Sequence, residues 1–315
     1  MDAFDIRAAT PADADAVADY HHRCFTRTYA SQLVPHLGPS RRLCRHRMAA
    51  TPTMTTPELA APVRLIAAYA AWVWTPVSCY LEQTTWRHDH TVGPTLYAKL
   101  GRTGAYPGLA AEAARARWAR PYLSVPGVVA TGTHGSLEWL VTTGLPGLPA
   151  TDPILGEPAT IVVALAEGLR RLHDRVPAQH CPFQFRLPVA LDHVRRRAAA
   201  GHIDPAEDFD DDHRHLDLET ALRELERLRP DDEDPVVCHG DYCPPNALLT
   251  HGQVTGYVDL GELGVADRWW DLAVATRAVT RNYGPGFEDL FLDAYGAQPD
   301  LRRQAFYRLL YDLAS

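Results

Sequence analysis

The chain has 315 residues, of which 46% are hydrophobic and 22% are charged, and its formal net charge is −8. This length and composition are typical of a globular protein with about two domains or lobes and a sizeable core. The negative charge disfavours a nucleic-acid partner, because phosphate binding needs a local basic stripe, and it favours a cationic partner.

Residues 1–53 are predicted to be an N-terminal extension and linker. The stretch IRAATPADADAVADYHHRCFTRTYA resembles the first strand and helix of GNAT-type acetyltransferases, but no glycine-rich loop for acetyl-CoA occurs before residue 55. Residues 35–57 are rich in Pro, Thr and Arg, which is typical of a linker. An acetyltransferase that works through this extension therefore lacks its cofactor loop, and we interpret the extension as non-catalytic.

The sequence also predicts a cytoplasmic location without a membrane-spanning segment. The N-terminus is acidic and lacks an apolar signal core. The longest apolar run, at 59–74, contains Arg64 and is shorter than the ~20 residues that a membrane span needs. The six cysteines form no CxxC pair, which favours reduced thiols over disulfides.

Strand patterns dominate residues 54–144. A predicted helix at 57–72 leads into WTPVSCYLEQTTWRHDH and TLYAKL, which both have strand character. A second predicted helix at 108–123 is followed by the strand patterns VPGVVATG and SLEWLVTTG. This region is predicted to be a small β-rich lobe.

Helical patterns dominate residues 145–315 beyond the hinge-like stretch GLPGLPATD, which spans 144–152. Helices are predicted at 157–175, 188–200 and 217–229, with three more from 269 to the end. The fold class is therefore α+β and bilobal, and the site is expected where the small β-rich lobe meets the larger helical lobe.

Two motifs in the helical lobe carry oxygen ligands in a fixed order. In VVCHGDYCPPNALL (236–249), Asp241 can accept a hydroxyl proton and Asn246 can bind a cation through its amide oxygen. Asp259, at the end of YVDL, adds a carboxylate. Oxygen ligands combined with substrate phosphates are what Mg²⁺ prefers. The order matches that of kinases, in which HRDxxxxN is followed by DFG.

Phosphoryl transfer also needs a cation on the nucleotide phosphates. Lys99 is the only lysine in the sequence, and it follows the strand pattern LYA. Glu112, thirteen residues later in the predicted helix, can hold the ammonium in place. Taken singly, these residues would be read as a turn aspartate and a surface ion pair. Taken together and in order, they indicate a kinase.

The chain resembles the aminoglycoside phosphotransferases, most closely the 3′-phosphotransferase (kanamycin/neomycin kinase) branch. The resemblance covers roughly residues 72 to 313 and rests on several separated motifs: VVCHGDYCPPNALL, VTGYVDLGELGVADRWWDLAVATRAV, LRRLHDRVPAQHCPF, AGHIDPAEDFDDDH and AFYRLLYDL. It implies a protein-kinase-like fold with a five-stranded N-lobe sheet. It also implies ATP-dependent phosphorylation of an aminoglycoside hydroxyl, which confers antibiotic resistance.

The resemblance also implies roles for individual residues. Asp241 would be the general base, Asn246 and Asp259 would hold Mg²⁺, and Lys99 with Glu112 would form the pair that binds the ATP phosphates.

Further positions match the family on the substrate side. Arg268 matches a catalytic position near the phosphate and the substrate, with Asp267 and Asp271 as supports. Asp208 and Asp211, in the acidic loop, and Asp312, near the C-terminus, would contact the amines of the aminoglycoside.

The chain departs from the family in two regions that bear on substrates. The stretch aligned with the family's glycine-containing nucleotide loop is LEQTTWR (81–87), which has no glycine and leaves ATP and GTP both open as donors. Tyr311 replaces an acid of the family's acidic C-terminal pair. These departures keep two alternatives open, namely a kinase for another cationic metabolite in a biosynthetic cluster, and a nucleotide-binding pseudokinase.

Overall fold

A computed structural model describes residues 73–80 and 83–315 of the chain. The extension predicted at 1–53 and the helix predicted at 57–72 lie outside the described residues. Within the described part, no helix combines the length and the apolar character needed to cross a membrane.

The N-lobe is an antiparallel five-stranded sheet with one helix against it. The strands follow the spatial order β1-β2-β3-β5-β4. Their bounds are β1 Thr75–Tyr80, β2 Gln83–His88, β3 Leu96–Arg102, β4 Val128–His134 and β5 Leu137–Thr143, and helix α1 spans Leu109–Ala119. The predicted five-stranded N-lobe is confirmed.

The two faces of this sheet carry different side chains because neighbouring residues of a strand point to opposite sides. Leu96, Ala98 and Leu100 of β3 are buried in one apolar cluster, together with Trp86 and Trp139. The residues between them, including Lys99, therefore face the other side.

Helix α1 packs on the face of the sheet to which the Lys99 side chain points. Leu109 and Ala113 of the helix pack against Leu140 of β5. The first turn is fixed by Glu138 of β5, whose carboxylate accepts a 2.8 Å hydrogen bond from the backbone N–H of Leu109. This contact sets the direction of α1 and with it the position of Glu112.

The C-lobe is mainly helical and contains two small antiparallel sheets. Its helices are α2 Pro158–Arg175, α3 Leu187–Ala199, α4 Pro205–Asp208, α5 Leu218–Leu228, α6 Arg268–Tyr283, α7 Glu288–Tyr295 and α8 Leu301–Ala314. Its strands are β6 Leu148–Pro149, β7 Pro235–Cys238, β8 Ala247–Thr250, β9 Gln253–Tyr257 and β10 Gly264–Asp267. The helices predicted at 157–175, 188–200 and 217–229 and the three beyond 269 are confirmed.

The C-lobe core surrounds α6, which is buried along most of its length. Helix α8 packs on it with Phe306, Leu309 and Leu310 fully covered. Burying a side chain of this size contributes roughly 1.5–3 kcal/mol. The pair β7–β10 and the sheet β6-β8-β9 rest on this core, so the loops that connect their strands have a rigid base.

Candidate active site

The loop between β7 and β8 carries the predicted base on a tight turn. Gly240 has φ 95°, a conformation that favours glycine. A Cβ at this position would lie 2.5 Å from the Cβ of Glu262, so there is no room for a side chain. The sharp turn predicted from the His-Gly pair is therefore present, and it places Asp241 directly after the strand.

A buried carboxylate holds this catalytic loop from behind. The two oxygens of Asp271, at the start of α6, accept hydrogen bonds from the backbone N–H groups of His239, at 2.7 Å, and Gly240, at 2.9 Å. The same carboxylate lies 3.0 Å from Nε2 of His173 on α2. Trp270 donates its indole N–H to the carbonyl of Gly240 at 2.7 Å. The backbone before Asp241 is thus fixed by two side chains of α6, and His173 of α2 supports one of them.

Both carboxylate oxygens of Asp241 have a defined partner. Asn246 Nδ2 donates to Oδ2 at 2.9 Å and also to the backbone carbonyl of Asp241 at 3.0 Å. The hydroxyl of Tyr311, on α8, donates to Oδ1 at 3.0 Å. The side chain is therefore oriented before any substrate binds. Because both N–H groups of the Asn246 amide face Asp241, its oxygen is the atom that a cation would use.

Lys99 joins the two lobes through two carboxylates. Its Nζ lies 2.7 and 2.9 Å from the two oxygens of Glu112 and also forms an ion pair with Asp259. Burial alone would lower the pKa of the Lys99 ammonium, but the charges of Asp259 and Glu112 outweigh burial and raise this pKa above its ordinary value. Burial raises the pKa of the Glu112 carboxyl, and Lys99 opposes that effect.

The turn that carries Asp259 is tied to the catalytic loop. The N–H of Val258 donates to the carbonyl of Asn246 at 3.0 Å, and Nε2 of His239 lies 2.9 Å from the carbonyl of Val258. Asp259 itself has φ 60°, in the left-handed region. The structure thus brings together five residues singled out from the sequence, namely Lys99, Glu112, Asp241, Asn246 and Asp259.

Arg268 does not belong to this group. In the β7–β10 pair, Cys238 faces Gly264 beside the catalytic loop, whereas Pro235 faces Asp267 at the opposite end. Arg268 follows Asp267, so it lies at the end of the pair remote from Asp241. Its guanidinium pairs with Asp234 at 2.5 Å. The catalytic role of Arg268 stays a prediction, and in this structure the strand register directs the side chain away from Asp241.

The acidic loop lies on the side of Asp241 from which α8 approaches. Asp208 ends the short helix α4, and its carboxylate accepts from the N–H of Asp204 at 2.7 Å. The Asp211 side chain is 63% exposed and pairs with Arg214 at 2.5 Å. The N–H of Asp210 donates to Asp312 at 3.0 Å, which links this loop to the residue after Tyr311.

Asp312 is fully buried, with none of its side chain exposed. One oxygen lies 2.9 Å from NH1 of Arg277, and the other lies 2.7 Å from Nδ1 of His213. The amine contact of Asp312 stays a prediction, and in this structure its carboxylate is covered by Arg277 and His213. The carboxylate connects α8 to α6 and to the acidic loop, and so it fixes the position of α8 next to the site.

The stretch LEQTTWR (81–87), which the resemblance aligns with the nucleotide loop, lies largely in a strand, in agreement with its predicted strand character. Strand β2 contains the last five residues of LEQTTWR together with His88. Tyr80 pairs with Gln83 across the β1–β2 hairpin. The turn itself falls at 81–82, outside the described residues.

Two residues of the site escaped the sequence reasoning. Tyr311 was noted only as a replacement for an acid, because its contact with Asp241 spans 70 residues of sequence. Tyr97 lies two residues before Lys99 in β3, so the two side chains face the same side of the sheet. A Cβ on Gly144, at the hinge, would lie 3.1 Å from the Tyr97 ring. The alternation of buried and partly exposed residues along β3 was the sequence signal that could have placed Tyr97 on the same face as Lys99.

The arrangement of a lysine–glutamate pair, an aspartate on a catalytic loop, an asparagine five residues on and a second aspartate agrees with the sequence match. The model of the "Phosphotransferase enzyme family" matches residues 73–307, well over half of the chain. This chain belongs to the phosphotransferase enzyme family. The family match begins at the first described strand region and excludes the N-terminal extension.

Individual members of the phosphotransferase family are similar over most of their length. An aminoglycoside 3′-phosphotransferase of Streptomyces fradiae is 40% identical over 230 residues, which are 69% of this chain and 85% of that protein. A streptomycin 3″-kinase of Streptomyces griseus is 35% identical over 233 residues, 68% of this chain and 82% of that protein.

Solved structures of this phosphotransferase family agree with the fold. The aminoglycoside-3′-phosphotransferase of type VIII superposes with a TM-score of 0.70 at 35% identity, covering 79% of this chain and 96% of that chain. The aminoglycoside phosphotransferase APH(3″)-Id of Streptomyces rimosus, solved with ADP and streptomycin, gives a TM-score of 0.68 at 27% identity and covers 82% and 100%. The predicted bilobal fold is confirmed.

Proposed function

We propose that this protein transfers the γ-phosphoryl group of ATP or GTP to a hydroxyl of an aminoglycoside, in the manner of a 3′-phosphotransferase, and so confers resistance. The observation that carries the proposal is the oriented carboxylate of Asp241 beside the Lys99–Glu112–Asp259 cluster. The aminoglycoside 3′-phosphotransferase of Streptomyces fradiae, at 40% identity, supports this choice of acceptor.

Asp241 acts as the general base. It accepts the proton of the acceptor hydroxyl while the acceptor oxygen attacks the γ-phosphorus. The new P–O bond forms as the bond to the β–γ bridging oxygen breaks, and the nucleoside diphosphate leaves with that electron pair. Positioned base catalysis of this kind contributes roughly 10²–10⁴-fold to the rate. The carboxylate is already fixed by Asn246 and Tyr311, so little reorganisation precedes the transfer.

Asn246 and Asp259 are proposed to hold Mg²⁺. A carboxylate and an amide oxygen are the ligands this ion prefers, and Asp259 already attracts a cation, the Lys99 ammonium. When bound, the ion neutralises charge on the phosphates. The hydrogen bonds between the Asp259 turn and the catalytic loop keep the two ligands in register.

The nucleotide is proposed to lie between β3 and the C-lobe. Lys99 would bind the phosphates, and Glu112 would keep its ammonium directed at them. Tyr97 offers an aromatic ring on the same face beside the hinge at Gly144, where a purine base can stack.

The acceptor is proposed to lie between Asp241 and the acidic loop. Asp211 is largely exposed, and Asp208 precedes it on α4. Carboxylates at this position attract a polycation, in agreement with the net charge of −8.

One observation favours a second candidate, a kinase for another cationic metabolite. At the C-terminal end of the site, Tyr311 stands in place of an acid and Asp312 is fully buried. This end of the site therefore presents fewer exposed carboxylates for the amines of an acceptor than the family pattern implies.

One panel of acceptors tests the first candidate. The purified protein is incubated with Mg²⁺, ATP or GTP and a set of aminoglycosides, and the products are read by the mass added by one phosphoryl group. We expect phosphorylation of kanamycin-like compounds and a loss of about 10²–10⁴-fold in kcat for Asp241→Asn, with nucleotide affinity retained. No product from any aminoglycoside would exclude the first candidate, and near wild-type kcat in the variant would exclude Asp241 as the base.

A further inference from the structure

The C-terminal helix α8 places a tyrosine hydroxyl on the proposed catalytic base. We infer that Tyr311 is a positioning residue for Asp241: it occupies one side of Oδ1 and directs the acceptor hydroxyl to the other side. The inference rests on the proposed function, since it concerns the base of that reaction. It adds a residue that stands where the family resemblance implies an acid.

The hydrogen bonds around Asp241 distinguish its two oxygens. Asn246 occupies Oδ2 from within the catalytic loop, at 2.9 Å, and Tyr311 occupies Oδ1 from α8, at 3.0 Å. A carboxylate oxygen has two lone-pair sites, so Oδ1 can accept a second hydrogen bond while Tyr311 stays in place. Hydrogen bonds to a charged oxygen are stronger than neutral ones, and a donor on each oxygen resists rotation of the carboxylate.

The tyrosine ring is itself held by the structure that supports the catalytic loop. Its centroid lies 5.9 Å from that of Trp270, whose indole N–H binds the carbonyl of Gly240. The guanidinium of Arg277 lies 5.4 Å from the tyrosine centroid and is fixed by the buried Asp312. Trp270 therefore supports both the backbone before Asp241 and the side chain that orients its carboxylate.

Tyr307 provides a matched comparison one turn earlier on α8. Its ring also faces Trp270, with centroids 6.5 Å apart, and it is only 2% exposed. Its buried hydroxyl has no hydrogen-bond partner among the described residues. The two tyrosines thus share a helix and a neighbour, and they differ in whether the hydroxyl reaches Asp241.

The experiment compares Tyr311→Phe with Tyr307→Phe in the full-length protein. Both variants keep the ring and lose one hydroxyl. For Tyr311→Phe we expect kcat to fall about 10- to 150-fold, as expected for loss of a hydrogen bond to a charged group, with acceptor KM within about 2-fold. For Tyr307→Phe we expect both constants and the melting temperature to stay near wild type. An unchanged kcat in Tyr311→Phe, or a loss confined to acceptor KM, overturns the inference.

Nucleotide hydrolysis without an acceptor separates this inference from the proposed function. Water then takes the place of the acceptor hydroxyl beside Asp241. If the wild-type protein phosphorylates no aminoglycoside, the proposed acceptor is wrong, but a lower hydrolysis rate in Tyr311→Phe than in Tyr307→Phe still supports positioning of the base. Equal hydrolysis rates in the two variants overturn it.

Discussion

The catalytic loop around Asp241 and the ion pair around Lys99 lie next to each other but are held by different means. The loop is fixed within the C-lobe, where Asp271, Trp270 and Asn246 each supply a hydrogen bond at 2.7–3.0 Å. The ion pair joins β3 and α1 of the N-lobe to the Asp259 turn of the C-lobe. Its geometry therefore depends on how the two lobes meet.

This difference assigns separate tasks to the two regions. The proposed base, Asp241, is oriented by the C-lobe alone, so damage to its supports should reduce stability and turnover together. Lys99 is positioned by charge across the lobe junction, so changes there should affect nucleotide binding more than the fold. Charged groups on the acidic loop, in turn, lie outside both clusters and should affect only the affinity for the acceptor.

The largest effect is expected when the support of the catalytic loop is removed. Asp271→Ala leaves the N–H groups of His239 and Gly240 without their acceptor in the core. We expect the free energy of unfolding to fall by about 3–5 kcal/mol, as measured by chemical denaturation. The kcat, measured by steady-state kinetics with saturating nucleotide and acceptor, should fall as well. Asp174→Ala, which removes the exposed partner of Arg170, serves as the control and should change stability by less than about 1 kcal/mol. A loss no larger than that of the control would show that Asp271 is not the main support.

An intermediate effect is expected at the ion pair. Glu112→Gln removes one of the two charges that raise the pKa of Lys99. A larger fraction of the amine is then neutral at pH 9, so this lysine should react faster with an amine-directed reagent, as followed by mass spectrometry. The KM for nucleotide should rise by about ten-fold, since the loss of one charge-assisted contact costs about 1.4 kcal/mol. Glu226→Gln, an exposed change on α5, is the control, and equal reaction rates in the two variants would contradict the assignment.

The direction of the Lys99 pKa also fixes the pH window of this contact. Because the folded-state pKa lies above the ordinary value of 10.5, the ion pair contributes fully below that pH and is lost only as the pH rises through the folded-state value. The nucleotide KM should therefore show no step from Lys99 between about pH 6 and 9.

The smallest effect is expected at the acidic loop. Asp208→Asn combined with Asp211→Asn should raise acceptor KM a few-fold and leave kcat almost unchanged, because these carboxylates bind the ground and transition states about equally. Wild-type KM should also rise with salt, since exposed charges are screened over a Debye length of about 8–10 Å. Asp231→Asn, with a 96% exposed side chain at the far end of β7, is the control. An acceptor KM that changes neither in the double variant nor with added salt would argue for a neutral acceptor.

Sequence reasoning succeeded where chemistry is encoded within a short segment. Asp241 and Asn246 are five residues apart, and their hydrogen bond follows from that spacing. Lys99 and Glu112 were paired from one strand and the helix after it. The long helices were located because their apolar periodicity is strong.

Sequence reasoning does not give side-chain positions that depend on how distant segments meet. The predicted role of Arg268 stays a prediction, but its position at the end of the β7–β10 pair away from the loop follows from an antiparallel register that has no local signal. Asp312 was expected to face the acceptor, yet the face of α8 that is buried depends on the packing of α6. The contact between Tyr311 and Asp241 has no local signal for the same reason.

Asp259 carries a further consequence through its backbone. Its φ of 60° belongs to a region that most side chains avoid and that glycine, asparagine and aspartate tolerate. Asparagine at this position would tolerate the same φ but lack the negative charge. Glycine would adopt this φ without strain but would lack the carboxylate proposed to bind Mg²⁺. The residue that the proposed chemistry needs is thus not the one that the backbone favours most.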